Sequence, residues 1–508
     1  MSSKLNAQKY DVIIAGSGLG GLVCAYVLSK NGYRVLVLEK NAQIGGCLQA
    51  FRRPGVKFDT GMHYIGSMDE GQILYRFFKY LGLLDSVKLK RLDTSGYDII
   101  SIAGKTYRYA SGFDNFVESL SKDFPENRAD IEEYIDRIKK IADASPLYKL
   151  QRINSNVFIE ADYIKTSVND FIASVTENPL LQSVLTGNLP LYAGVKDKTP
   201  TYIHALINNF YIQSAWRIVG GSDNIAKSLS QSIKEFGGKI LTRAEVTEFV
   251  CNDEKVTKVL LKDGREFEAE HFISNIHPQV TMEKVKSKLI RKVYRERIGN
   301  IDNTISNFTV FIKFKKNKLK YLNYNFYYYD NPDIWSFVDY DESLFPQNFL
   351  YMHQCEDADS EYATSAQIIA YMRFDEVKKW EDTTIENRGA DYEAFKQEKA
   401  EKLLDKLEKS FPGTREAIDK IYTSSPLTYR DYTATKEGSM YGVLRDKNFP
   451  MQTLVSQRTK IPNLLLTGQN INSHGILGVT IGAIITCAEL LGIEKIVDDI
   501  NENNQKAE

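Results

Sequence analysis

Runs and periods of apolar residues divide the chain into elements before any motif is considered. Tyr10–Ala15 is an almost continuous apolar run, which predicts a parallel strand buried on both faces. Leu22, Ala25, Tyr26 and Leu28 recur at helical spacing and predict a helix over 22–30, ended by Asn31-Gly32. Arg34–Leu38 then predicts a second strand, finishing at Glu39. Helical periods return at 112–146, 223–236 and 393–410. Strands are predicted from Lys239 to Val250, at Phe272–Ser274, Phe308–Phe314 and Tyr324–Tyr329, and at Asn463–Thr467. Val256–Phe267 reads as a hairpin around Asp263-Gly264.

The longest apolar stretch, 475–493, is about long enough to cross a bilayer. It carries Glu489, however, and Gly475, Gly478 and Gly482 fall on one helical stripe. A buried helix packed tightly on a sheet suits that composition better than a membrane span.

Composition narrows the class. At 508 residues the chain exceeds the roughly 250–300 at which one core stops growing, so two domains are expected. Sixty-five basic side chains against 66 acidic ones leave a net charge of -1, which argues against a nucleic-acid partner. The five cysteines (Cys24, Cys47, Cys251, Cys355, Cys487) are scattered with no CxxC pair. They read as reduced thiols, with no disulfide framework and no metal site. The first residues, MSSKLNAQKYD, lack an apolar h-region, so no secretory signal is expected. The expected location is the cytoplasm, with peripheral membrane contact as an option.

Within the first strand–helix–strand unit lies Gly16-Ser17-Gly18-Leu19-Gly20-Gly21, a G-x-G-x-x-G pattern. Gly16 allows a tight turn, Gly18 lets backbone N–H groups approach a pyrophosphate, and Gly21 permits close helix–strand contact. The helix N-terminus adds about half a positive charge. Glu39, followed by Lys40, stands where a carboxylate can accept from ribose hydroxyls, and its charge disfavours a 2′-phosphate. An adenine dinucleotide is therefore predicted. A second glycine pair, Gly45-Gly46-Cys47, comes only a few residues later, and Phe58-Asp59-Thr60-Gly61-Met62-His63-Tyr64 follows. That second pair is the feature of FAD proteins of the glutathione-reductase and amine-oxidase type; NAD dehydrogenases do not need it. No further G-x-G-x-x-G is placed for NAD(P)H, so electrons must come from, or go to, an external donor or acceptor.

On these stretches, with AWRIVGGSDNIAKSL at 215–229, FISNIHP at 272–278 and LLLTGQNINSHGILGVTIGA at 464–483, the chain resembles the phytoene desaturase and carotenoid isomerase superfamily, closest to the retinol saturase branch. The resemblance implies an α/β fold: a Rossmann-type FAD-binding domain with an inserted mixed α+β substrate domain. The FAD domain is expected from residues 9–90, 215–300 and 455–500, and the substrate domain from 91–214 and 301–454. The implied FAD contacts are Gly16 to Gly21, Glu39, Lys40, Gly45, Gly46, Cys47, Gly61, Met62, His63, Val246, Gly468, Gln469, Asn470, Gly478, Val479 and Thr480. The usual ribityl-binding acid is missing, and Gln469 or Asn470 would serve instead. Tyr324–Tyr329 could line a polyene channel or simply pack, and Phe77–Leu84 could form an apolar entrance or belong to the core.

The implied chemistry is hydride transfer at flavin N5 to or from a C–C bond of a polyene lipid, in an apolar slot. A reduction also needs a proton, for which His63, Tyr441 and His474 are the catalytic candidates. His204 reads as structural, and His277 as the end of a strand. The alternatives are a carotenoid isomerase using reduced FAD without net redox change, and an amine-oxidase-like flavoenzyme.

Overall fold

The computed structural model describes residues 9–151, 161–337 and 340–505. Its first sheet has seven strands among the described residues, in the order Lys239–Leu241, Val35–Leu38, Tyr10–Ala15, Glu266–Ser274, Val256–Leu261, Val246–Cys251, with Leu464–Leu466 also against Glu266–Ser274. The strands flanking Tyr10–Ala15 are both parallel to it. Along that strand alternate residues enter different cores: Val12 and Ile14 join one cluster, Ile13 and Ala15 the other. Burial on both faces is why the run is apolar without alternation.

Glu266–Ser274 does two jobs. Its start pairs antiparallel with the hairpin strand Val256–Leu261, and its end runs parallel to Tyr10–Ala15 and to Leu464–Leu466. The sequence shows a hairpin and a separate short strand; the structure fuses them into one nine-residue strand. The helices Leu19–Lys30 and Gly475–Leu491 pack against one face. Residues 475–491 are thus a core helix, and no helix among the described residues is long and apolar enough to cross a membrane.

A second seven-stranded sheet is mixed. Its order is Ile418–Ser424, Ser306–Phe314, Ser365–Met372, Asn348–His353, Asn325–Tyr329, Asp98–Ile102, Lys105–Tyr109. The helical period at 112–146 resolves into Phe113–Ser121 and Arg128–Asp143, with Pro125 in the break. Phe77, Phe78, Tyr80, Leu81 and Leu83 are core residues, so the apolar stretch 77–84 forms no entrance. Tyr324–Tyr329 borders neither of the two large cavities described below. Tyr327 Oη meets Tyr64 Oη at 2.6 Å and Tyr329 Oη donates to Gly187 O, both inside the core.

Candidate functional site

The C-terminal ends of four parallel strands converge: Ala15, Leu38, Ser274 and Leu466 each precede a residue that turns away from the sheet. In open α/β sheets this edge is where ligands bind. Here it borders an elongated cleft of about 1590 Å3, its mouth included. Gly16, Gly18, Leu19 and Gly20 line one wall, and Gly468, Gln469 and Asn470 line another. Helix Leu19–Lys30 presents its N-terminus to the cleft with no side-chain cap and no acid in its first turn. Its free N–H groups and positive dipole end are left for an anion.

The glycines earn their places by contact. A Cβ on Gly21 would lie 2.1 Å from Gly16 O, and one on Gly18 would lie 2.7 Å from Asn275 Nδ2. Gly21 therefore closes the turn and does not border the cleft. Ser17 is also behind the wall: its N–H and hydroxyl donate to Glu39 Oε2 at 3.0 and 2.6 Å. Glu39 Oε1 accepts from Asn41 N–H at 2.8 Å, so a buried carboxylate is held rigidly at the cleft edge with acceptor capacity remaining.

Lys40, Gly45, Gly46, Cys47, Gly61, Met62, Val246 and Val479 also border this cleft. Lys40 Nζ is tied to Asp431 O at 2.7 Å. Thr480 is buried in the core helix and borders neither cavity; the helical twist turns it inward from its neighbour Val479. Asn470 lines the cleft, but its Oδ1 accepts from Val443 N–H at 2.8 Å, and a Cβ on Gly442 would lie 2.0 Å from that oxygen. Its carbonyl end braces a turn and is not free for a ribityl hydroxyl.

At one end the cleft meets a second cavity of about 1350 Å3, opening included. Cys47, Gly61, Met62, Met440, Tyr441, Gly475 and Ile476 border both. His63 and Gly478 face this second cavity and not the cleft. Among the described residues its wall holds no Asp, Glu, Lys or Arg; it is built from aliphatic and aromatic side chains such as Leu206, Phe210, Leu350, Ile369 and Leu477, with Tyr211, Tyr371 and Tyr429.

The three proton-transfer candidates all line this cavity. His474 Nε2 lies 2.9 Å from Leu191 O, so it carries the proton and donates, leaving Nδ1 with its lone pair. Tyr441 Oη donates to Pro190 O at 2.9 Å, and its ring packs on His474 with centroids 4.3 Å apart. His63 makes no hydrogen bond among the described residues. Burial pushes both histidines down to about 4, so both are neutral at pH 7. Burial likewise raises the Tyr441 phenol above its ordinary value, keeping it protonated.

His204 sits between Tyr134 Oη and Tyr192 Oη, both 2.9 Å away, as a structural residue. His277 does not end a strand: it caps helix Pro278–Glu283, its Nδ1 accepting from Gln279 N–H.

Two residues at or beside the site lie outside the predicted set. Asn275 touches the positions of Gly16, Gly18, Gly20 and Gly468 at once, and its place after the strand end at Ser274 was the available clue. Arg445 is buried beside the junction, donating to the carbonyls of Thr453, Asn470 and Ile471 with no carboxylate partner among the described residues. Nothing in its neighbourhood of the sequence marks it out.

A dinucleotide fits these walls. The cleft offers an uncapped helix end, Gly18 and Gly20 where a Cβ would collide, and a fixed acid at the opposite strand end. The sequence pattern of the family described as flavin containing amine oxidoreductase matches residues 19–491. The all-trans-retinol 13,14-reductase of Homo sapiens is 30% identical over 533 residues, covering 95% of this chain and 86% of that protein. Prolycopene isomerase 1 of an Oncidium hybrid cultivar is 24% identical, covering 96% and 85%. Among solved structures, an oxidoreductase from Methanosarcina mazei superposes with a TM-score of 0.63 at 18% identity, covering 94% of this chain and 99% of that one. The chain belongs to the flavin containing amine oxidoreductase family, and its cofactor is FAD.

Proposed function

We propose that this protein is an FAD-dependent oxidoreductase acting on a C–C double bond of a polyene lipid, of the saturase kind. One observation carries the reading: the cavity adjoining the cleft has no charged side chain in its wall among the described residues. A retinoid, carotenoid or related isoprenoid needs such a slot, because it has long apolar surface and no ionic handle. An amine substrate would enter as a cation and find no counter-ion there, which weighs against the amine-oxidase alternative. The names of the retinol reductase and prolycopene isomerase relatives support the same substrate class.

FAD in the cleft supplies hydride transfer at N5. The chain's own residues bind, orient and keep water away. Cys47, Met62 and Ile476 form the shared wall across which the substrate carbon is held. Tyr441 and His474 are anchored to consecutive carbonyls of the turn Leu189–Leu191 and set the shape of that wall. His63, neutral and with both ring nitrogens free of hydrogen bonds among the described residues, would relay a proton to the second carbon, taking one from water at one nitrogen as the other gives up its hydrogen. The FAD contacts are assigned to the residues bordering the cleft, above all Gly16, Gly18, Gly20, Glu39, Gly45, Gly46 and Val246.

The isomerase alternative rests on the prolycopene isomerase likeness and uses the same two cavities. Anaerobic mixing of photoreduced protein with all-trans-retinol or a carotenoid decides between them. A product heavier by two hydrogens, with reoxidised flavin, is expected; unchanged mass with altered geometry would favour isomerisation. A flavin spectrum and product chromatogram untouched by any such lipid would sink both.

A further inference from the structure

Four exposed apolar side chains lie together in a cluster beside a basic stretch of the chain. Phe449, Met451 and Leu454 are exposed at 54, 75 and 44%, and Val293 at 76%. Two chain segments build it. Residues 449–454 form the short turn around helix Pro450–Thr453, and Val293 belongs to helix Lys292–Gly299. Arg297, one turn beyond Val293 on the same helical face, donates to the carbonyls of Met451, Gln452 and Leu454 at 3.0–3.4 Å. That clamp fixes Val293 beside the turn.

Charge surrounds this cluster on one side. Between residues 284 and 298 the sequence KVKSKLIRKVYRERI contains a single acid, Glu296, in a chain whose net charge is only -1. Arg295 and Arg297 are spent on backbone carbonyls. Lys286, Lys288, Arg291 and Lys292 are exposed. Lys286 and Lys292 reach Glu248 and Glu296 only loosely, at 3.6 and 3.7 Å, and Lys288 and Arg291 make no ion pair among the described residues.

The apolar turn is also continuous with the cavity wall. Met440 and Tyr441 line the cavity, Leu444 and Lys447 are bonded to Asp302 O and Lys198 O, and Phe449 emerges at the surface. On the other side, Pro190 and Leu191 line the cavity, and the same loop reaches Asp197, whose carbonyl accepts from Asn448 Nδ2.

We propose that the turn 449–454, Val293 and the basic stretch 286–292 form a docking surface for an anionic lipid bilayer. Exposed Phe, Met and Leu side chains enter the headgroup boundary while Lys288, Arg291 and their neighbours meet lipid phosphates and carboxylates. The charge complementarity selects an anionic membrane over a second copy of this chain, whose matching face would carry the same positive field. Delivery of a lipid substrate to the cavity from that membrane rests on the polyene reading; the docking itself does not.

The test uses the full-length, FAD-loaded protein and vesicles free of any polyene, so a failure of the substrate assignment leaves it untouched. Cosedimentation is measured with phosphatidylcholine vesicles and with phosphatidylcholine–phosphatidylserine vesicles. Binding to the anionic vesicles, weakened by salt, is expected. The double variants Phe449→Ser/Met451→Ser and Lys288→Glu/Arg291→Glu should each lower partitioning by roughly tenfold or more. Flavin absorbance and melting temperature should stay those of the parent, since all four side chains are on the surface. Three results would overturn the inference: a parent protein that stays in solution with every vesicle, either variant binding like the parent, or concentration-dependent self-association lost in Phe449→Ser/Met451→Ser without vesicle binding.

Discussion

Two cavities share a wall in this protein and are made in different ways. The cleft assigned to the cofactor is organised by main chain at one side, with glycine turns, an uncapped helix end and strand ends, and Glu39 is its rigidly held carboxylate. The adjoining cavity is walled by side chains gathered from distant stretches, including Leu74, Phe210, Leu350, Tyr371 and Leu477, and none carries a charge. The glycine turn tolerates almost no change at Gly18, Gly20 or Gly21, because a Cβ there has nowhere to go. A side-chain-built site tolerates exchanges of similar volume but not of polarity.

The sharpest way to break the contrast is at Gly21. Gly21→Ala puts a methyl 2.1 Å from Gly16 O, where only backbone movement makes room. The purified variant should be colourless, with thermal stability down by several kcal/mol, on the order of 3. Retained flavin would mean the turn is softer than its packing indicates. In the other cavity, Ile207→Asp places a carboxylate on the uncharged wall. Flavin content should hold while kcat/KM for a polyene falls by roughly 100-fold, the cost of about 2.7 kcal/mol of desolvation. Loss of flavin together with activity would show that the two sites are not separable.

A smaller effect is expected at the cleft's charge. Glu39→Gln keeps the shape but weakens the acceptor for Ser17 and Asn41, and FAD should bind roughly tenfold less tightly by titration of the stripped protein. The smallest change per group concerns pH. Burial holds His63, His277 and His474 at about 4, and His204 and His353 at about 3. Each folded value lies below the unfolded one near 6.5, so the unfolded chain binds the extra proton. Stability is therefore full above that value and declines as pH falls from about 6.5 toward 4, by on the order of 1 kcal/mol per histidine at about pH 5.5. Asp98, buried and raised to about 7, pulls in the opposite direction, as do Asp59 and Glu376, whose carboxyls burial also raises; these three are fewer than the five histidines. Melting temperature measured from pH 7.5 down to 5.5 should drop; a flat profile would mean these histidines are less buried than the fold places them.

The division between legible and illegible follows the same line. Gly16 to Gly21, Glu39 and Gly45-Gly46 could be recognised because their work is local: a turn, a helix start and a strand end fall within about forty consecutive residues. Even there the roles shifted. Ser17 and Gly21 proved to brace the wall, and Gly478 faces the neighbouring cavity. Asn275 and Arg445 were not foreseen, since Asn275 acts on glycines of two other segments and Arg445 reaches Asn470 and Ile471 as well as the nearby Thr453. The tyrosine strand 325–329 packed inward, while its neighbour Asn348–Leu350 supplied the cavity wall.

The sequence by itself determined the strand–helix–strand unit, the glycine turns and the dinucleotide they call for, because short-range sterics and backbone hydrogen bonding leave few alternatives there. Only the tertiary structure decided which side chains meet across the second cavity, that none of them is charged, and where the exposed apolar turn lies beside a basic surface. Those depend on contacts between segments hundreds of residues apart, and no local pattern encodes the distance between them.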